Sequence, residues 1–349
     1  MTLENAQISE LLARAGDERQ GERQRAYRRA ARHALMWPEQ ASDVLDEGRS
    51  LTELSALGPR LSGLVRSWLT DAPEVPDAPP TRRGFMSFAH ALEVTGRNPA
   101  FAEALRGDLQ MHTTESDGSL TAGEMAGAAI DLGYEYIAIT DHSVGLKIAG
   151  GMSIEQMRAQ REGLDVLNER LASETHDFQV LRSIEMNLDQ NGNGDLSSED
   201  LEGLDIVVGS FHSKLRRQED QTERGIRAVS NPDVHILGHP RGRMFNSRVG
   251  VLGDWDSIFD AAAEHHTALE LNSHPNRQDL DVESLIVARD SGCMFSIGTD
   301  AHVDWEMRFV DLGMAAALEA DIPQERILNF MPREQLLAWV AESNSRKVR

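Results

Sequence analysis

From residue 107 onward the chain repeats one pattern. Short apolar or β-branched runs each lead into a loop and then a helical stretch: "GDLQMHT", "YIAITDH", "VLRSIEMNL", "IVVGSFHS", "VHILGHP", "TALELNSHP" and "MFSIGTDAH". Between them lie segments with helical periodicity, such as "AGEMAGAAIDLG", "SIEQMRAQREGLDVLNERL" and "DSIFDAAAEHH". Strand and helix in alternation predict a parallel sheet, and seven repeats predict a closed α/β barrel over an open sheet. Each run is apolar until its last residues and then turns polar. In a parallel barrel the C-terminal strand ends converge on one face, where chemistry occurs. His112, His142, Glu185, His212, His239, Asp300 and His302 are therefore expected in one cavity, although nearly two hundred residues separate the first from the last.

Burying that many titratable groups together is costly unless something pairs them. Divalent metal ions are the economical partner. Imidazole mixed with carboxylate suits Zn, Mn or Fe better than Ca or Mg. With Asp117 added, there are enough ligands for two or three ions. The net charge of −22 agrees, because an acidic body attracts cations and argues against a general nucleic-acid coating protein. The one cysteine, Cys293, lies in the apolar "CMFSIGTD" and reads as core. No basic leader with an apolar core opens the chain and no apolar run reaches membrane-span length, so the expectation is a soluble, cytoplasmic protein.

The first 75 residues have a different character. Ten arginines balance ten acids over residues 1–70, leaving that segment neutral. "AYRRAARHALMW" has helical spacing, and "SLTELSALGPRLSGLVRSWL" reads as two short helices around Gly58. "DAPEVPDAPP", residues 71–80, holds four prolines and reads as a semi-rigid linker. The expected organisation is a helical unit over 1–75, a Pro-rich linker and connecting helix over 76–105, and a barrel over 106–345.

The motifs "RGDLQMHTTESDGSLT", "YEYIAITDHS", "ILGHPRGR", "ALELNSHPNRQDL" and "GTDAH" resemble the PHP (polymerase and histidinol phosphatase) domain. The version fused to bacterial family X DNA polymerases is the most similar, over roughly residues 106–340. The resemblance implies a distorted seven-stranded barrel, a trinuclear metal centre and phosphoesterase activity by a metal-activated hydroxide. It puts the metal ligands on Gln110, His112, Asp117, His142, Glu185, His212, His239, Asp300 and His302. Gln110 departs from the family, which has histidine there, so one metal position is expected to be weakened and the centre to remain active. Glu115 is a candidate extra carboxylate at the mouth. Arg243 and Lys147 are candidates for gripping phosphate, and Asp141 for orienting a ligand.

The N-terminal segment is similar to the helix–hairpin–helix unit of the same polymerases, with Ala56 in place of one turn glycine. The expectation is weak DNA contact at best through residues 1–75. There is no room for a polymerase palm between residues 70 and 106. The leading expectation is thus hydrolysis of phosphate esters on DNA ends or nucleotides. A histidinol-phosphate type of small-molecule phosphatase and a non-catalytic binding module are the alternatives. "DQNGNGDLSSED", residues 189–200, fits the spacing of an EF-hand loop, but Asp closes it and a strand precedes it, so a tight Asx/Gly turn is the expectation.

Overall fold

The computed structural model describes residues 3–174 and 177–347. Residues 1–2 of the expected helical unit and 175–176 of the expected barrel lie outside the described residues. Four helices come first: α1 (Asn5–Asp17), α2 (Gly21–Ala34), α3 (Ala41–Asp46) and α4 (Pro59–Asp71). They pack around Ile8, Leu12, Ala30, Ala34, Trp37, Val44, Leu51 and Val65. Gly58 caps α4 with Pro59 behind it, an arrangement that suits proline's fixed φ and missing N–H. Ala56, two residues earlier, has φ +63°, the left-handed region in which a glycine is at ease and a Cβ costs roughly 1 kcal/mol. Two short helices, α5 (Phe88–Gly96) and α6 (Pro99–Glu103), lead into the barrel.

Seven strands follow, all parallel and in sequence order: β1 (Gly107–Met111), β2 (Tyr136–Ile139), β3 (Gln179–Leu188), β4 (Ile206–Phe211), β5 (Ile236–Gly238), β6 (Ala268–Asn272) and β7 (Phe295–Gly298). All seven expected runs are strands. The seam is drawn together by backbone bonds from His112 N–H to the Ala301 carbonyl (2.8 Å) and from Asp300 N–H to the Gln110 carbonyl (3.0 Å). Asp108 spans the same seam, accepting from the Thr299 N–H (3.1 Å) and hydroxyl. The result is a nearly closed (β/α)7 barrel.

Helices α7 (Ala122–Asp131), α8 (Ile154–Ser173), α9 (Thr222–Ser230), α10 (Trp255–Glu264), α11 (Val282–Asp290) and α12 (Val310–Glu319) alternate with or follow the strands. Burial on both faces explains why the strands read as continuous apolar runs. The last helix, α13 (Arg333–Arg346), packs Leu336, Trp339 and Val340 onto Leu109, Tyr136, Leu181, Ile206 and Ile236. These apolar residues come early in their strands, so the polar strand ends are left to the other face. The EF-hand-like stretch is a turn. Asp189 accepts from the N–H groups of Asn191 (2.7 Å) and Asn193 (2.9 Å), and Leu188 pairs back with Gly194.

The linker fastens the helical unit to the barrel. Arg82 is buried between Glu10 (2.7 Å) and Asp17 (2.9 Å) of α1 and Asn246 (2.8 Å) of the loop after β5. Phe85 packs edge-on to Phe245 with ring centroids 5.2 Å apart. Arg14 also pairs with Glu10 (2.7 Å), so removing the Arg82 guanidinium leaves that buried carboxylate with one of its two cations and falls short of the about 3–5 kcal/mol cost of an orphaned buried charge. Arg82→Met should therefore lower the stability read from urea unfolding by about 2 kcal/mol, and a loss below about 1 kcal/mol would contradict this role for the linker.

Candidate metal centre

Glu185 lies within β3, fully buried, where a bare carboxylate would be expensive. Four strand ends surround it with imidazoles. His142 Nδ1 follows β2 and stands 2.9 Å from Glu185 Oε2. His112 Nε2, after β1, is 3.6 Å from the same oxygen. His212 Nε2, after β4, is 3.2 Å from Oε1, and His239 Nε2, after β5, is 2.9 Å from it. Burial pushes the Glu185 carboxyl up, but His142 and His212 outweigh it and hold the group well below the usual carboxylate range.

A second group forms beside the first. The loop after β1 brings Asp117 Oδ1 to 3.5 Å from His142 Nε2, 3.4 Å from His302 Nε2 and 3.9 Å from His112 Nδ1. That loop folds tightly over the histidine: a Cβ on Gly118 would stand 2.5 Å from the His112 carbonyl oxygen, so only glycine fits. Asp300, after β7, sets Oδ1 3.1 Å from His112 Nε2 and Oδ2 2.7 Å from Arg277 Nε. Ligand atoms of His112, Asp117, His142 and His302 lie within 4.8 Å of one another, as do those of His142, Glu185 and His212, so His142 joins the two groups.

The surrounding contacts orient the rings. Asn187 Oδ1 lies 3.2 Å from His212 Nδ1, and the Asp300 carbonyl 2.7 Å from His302 Nδ1. With those nitrogens donating, both Nε2 lone pairs face the cluster. Burial lowers the His302 imidazole, yet Asp117 and Asp300 carry it up to about 9. Asp141 accepts from the Thr113 N–H (2.8 Å) and hydroxyl (2.5 Å) and from the Gln160 amide (2.5 Å), pinning the β1 loop beside His142.

The test of whether cations belong here is hydrogen bonding. Several contacts are close but misaligned. His112 Nδ1, His142 Nδ1, both Glu185 oxygens, His212 Nε2 and His239 Nδ1 are buried with no hydrogen-bond partner. Each orphaned group costs about 1–3 kcal/mol. So many orphans around shared carboxylates fit divalent ions as the missing partners. The donor set is of the mixed N/O kind that borderline transition metals take.

Gln110 lies in β1 with both amide atoms buried and unpaired. A Cβ on Gly298 would stand 2.7 Å from the Gln110 Cβ and 2.1 Å from a Glu270 oxygen, and one on Gly238 would stand 3.2 Å from the Gln110 amide oxygen, so both glycines make room for these two side chains in the barrel. Two candidates stand apart. Arg243 is buried and spent on Asp281 (2.6 Å), the Arg83 carbonyl (2.6 Å) and the Phe85 face (4.0 Å). Lys147 is exposed in a 3-10 turn after β2. Glu115 donates its N–H to the Thr113 hydroxyl (3.2 Å), and none of its carboxylate oxygens joins either ligand group.

Sequence reasoning passed over Glu270, Asn187 and Arg277. Glu270 is fully buried in β6; it accepts from the His239 N–H (2.5 Å) and from Asn272 (3.2 Å). Burial and then Asp300 push its carboxyl well above the usual range. The signal was a glutamate in mid-run of a strand buried on both faces. Asn187 is two residues from Glu185 and so shares its face.

A parallel barrel with carboxylates and imidazoles gathered at its C-terminal strand ends defines a metal-binding α/β-barrel protein. Residues 108–274 match the PHP domain, and this part of the chain is a PHP domain. The chain is 37% identical over 241 residues to the DNA polymerase/3'-5' exonuclease PolX of Bacillus subtilis, covering 69% of this chain and 42% of that protein. The chain thus spans less than half the length of that relative. It is 28% identical over 241 residues to the "Probable phosphatase YcdX" of Escherichia coli K12, covering 66% of this chain and 91% of that one. A solved histidinol phosphate phosphatase of Lactococcus lactis, complexed with zinc, L-histidinol and phosphate, superposes with a TM-score of 0.39 at 14% identity, over 69% of this chain and 93% of that one. No helix among the described residues is long and apolar enough to cross a membrane.

The opposite states of Glu185 and Glu270 have a pH signature in the metal-free protein. A carboxyl whose folded pKa is raised binds its proton more tightly folded than unfolded. Its contribution is therefore lost as pH rises from the ordinary carboxylate range through the folded value. Glu270→Gln mimics the protonated form at every pH. Thermal unfolding of chelator-treated protein should find Glu270→Gln gaining on the parent steadily from about pH 5 to about pH 8. A difference that does not change with pH would contradict a neutral Glu270.

Proposed function

We propose that the barrel hydrolyses phosphate esters with two to three divalent ions, Mn, Zn or Fe. The observation that carries this is the buried Glu185 among four imidazoles, with its oxygens and ring nitrogens left without hydrogen-bond partners. His112, Asp117, His142 and His302 would hold one ion. Glu185, His212, His239 and Asp300 would hold the others, with Gln110 offering at most an amide oxygen. Bound there, divalent ions supply Lewis acidity: they lower the pKa of water and offset charge on phosphoryl oxygens.

The chain's own residues do the rest. Asn187 fixes the His212 ring, the Asp300 carbonyl fixes His302, and Asp141 keeps the β1 loop in register. Arg277, held by Asp300, puts a guanidinium at the edge of the cluster, where it offsets phosphate charge. The ester loses its P–O bond to the leaving alcohol as water oxygen bonds to phosphorus. One water proton ends on the alcohol and the other in solvent.

DNA ends or nucleotides are the favoured substrates, supported by likeness to a polymerase-associated exonuclease and by a helical unit whose Ala56 keeps the left-handed turn. A small-molecule phosphatase is the second reading, favoured by the net charge of −22, which opposes a long polyanion. Contact of residues 1–75 with DNA would be weak, because that segment carries no positive excess.

The test is a panel of 3′-phosphorylated DNA, single-stranded DNA, nucleotides and histidinol phosphate, assayed against Mn²⁺ and Zn²⁺ concentration for the parent and Gln110→His. Imidazole binds these metals better than an amide oxygen does, so the variant's activation curve should shift about tenfold toward lower metal. Coincident curves would remove residue 110 from the centre. No hydrolysis of any substrate by either protein would leave the barrel a non-catalytic module.

A further inference from the structure

One residue of the cluster, His212, borders a cavity of about 600 Å³. The loop between β4 and α9, "SKLRRQED", supplies Lys214, Arg216 and Arg217, and the loop after β5 supplies Arg248. One acid, Glu219, lines the same cavity. Among the described residues none of these four cations has a carboxylate within ion-pair distance, and neither has Glu219 a cation. That is unusual in a chain with 57 acids against 35 Lys and Arg, where surplus carboxylates should find exposed cations.

Two of the four cations are aimed without being neutralised. Arg216 donates to the Ser247 carbonyl (2.5 Å) and hydroxyl (2.9 Å). Arg248 donates to the Gly242 carbonyl (2.7 Å). All three acceptors are uncharged, so they fix the guanidinium groups and leave their charge unspent. Lys214 and Arg217 are exposed, and their side chains form none of the structure's hydrogen bonds or ion pairs.

The four cations line one cavity with His212. Burial, and then the like charges of Arg277 and Arg216, press the Arg248 guanidinium down to about 10, with Asp279 acting in the opposite sense. Arg277 in turn touches Asp300 of the metal centre. Clustering like charges costs free energy unless an anion joins them.

We propose that this cavity is a second anion site: the substrate carries one phosphate at the metal centre and another held by Lys214, Arg216, Arg217 and Arg248. Guanidinium pairs suit a phosphate because their fork matches its oxygens. The volume is within the range of pockets that take a nucleotide-sized ligand. The acidic remainder of the protein restricts the ligand to a compact anion or to the end of a strand, because a long polyanion would leave the patch and meet repulsion. The second phosphate has two sources: a small nucleoside bisphosphate, or the phosphodiester next to a terminal phosphate in a short oligonucleotide.

The inference rests on the phosphoesterase reading, and two readouts keep them distinguishable. The variant is Lys214→Gln/Arg217→Gln, which removes two exposed charges and no packing. Hydrolysis of a nucleoside monophosphate, the matching bisphosphate and a 3′-phosphorylated dinucleotide is compared, together with equilibrium binding of each to the full chain in Mn²⁺. For at least one two-phosphate substrate the variant's KM and Kd should rise about tenfold with kcat within about twofold of the parent, while the monophosphate is unaffected. Which of the two responds identifies the source of the second phosphate. Equal effects on the monophosphate, or two-phosphate ligands binding the parent no tighter than the monophosphate, would overturn the second site. Absence of hydrolysis with the binding preference intact would overturn the phosphoesterase reading and leave the anion site standing.

Discussion

One buried carboxylate organises this protein. Glu185 lies within β3 with imidazoles from the ends of β1, β2, β4 and β5 around it. No pairwise hydrogen bonding satisfies that arrangement, since both of its oxygens remain without a partner. The four strands must each deliver a histidine to one point, which fixes their order, their parallel sense and where each one ends. The rest follows. The apolar early parts of the strands pack on α13, and the loops beyond the strands carry the polar groups that aim the rings.

Much of this was legible in the sequence because parallel strands buried on both faces leave a plain trace. An apolar run that turns to His, Asp, Glu or Asn in its last residues, repeated seven times, has few other physical explanations. Residues whose role depends on side-chain direction were harder to see. Glu270 looks like an ordinary alternating residue of "TALELN", yet it points inward, beside Gln110 and opposite Gly298. Arg277 follows a proline-containing loop whose path no local pattern specifies, and it returns to Asp300. Arg243 shows the converse. Its place in "HPRGR" after a strand end suggested the site, but the linker residues Arg83 and Phe85, about 160 positions earlier, take its guanidinium. A contact of that range is invisible to a reading along the chain.

The charge distribution separates two tasks. The acidic surplus favours cations, and the reactive face gathers carboxylates around imidazoles. The cavity that His212 borders reverses that sign, with Lys214, Arg216, Arg217 and Arg248 in its lining. A field that changes sign between a metal centre and its entrance orients an anion end-on, and does so more strongly at low ionic strength. Gln110 is the one member of the expected ligand set that carries no ionisable group, and both of its amide atoms are buried without a partner.

The central claim is that Glu185 and the imidazoles around it are held together by divalent metal ions. Elemental analysis of protein purified after expression in Mn- and Zn-supplemented medium tests it most directly, with Glu185→Gln prepared in parallel. Loss of the shared carboxylate should lower metal affinity at least about tenfold. The account predicts about two or more transition-metal ions per chain in the parent and a clear loss in the variant. Less than about one ion per chain in the parent, or equal content in both proteins, would contradict it.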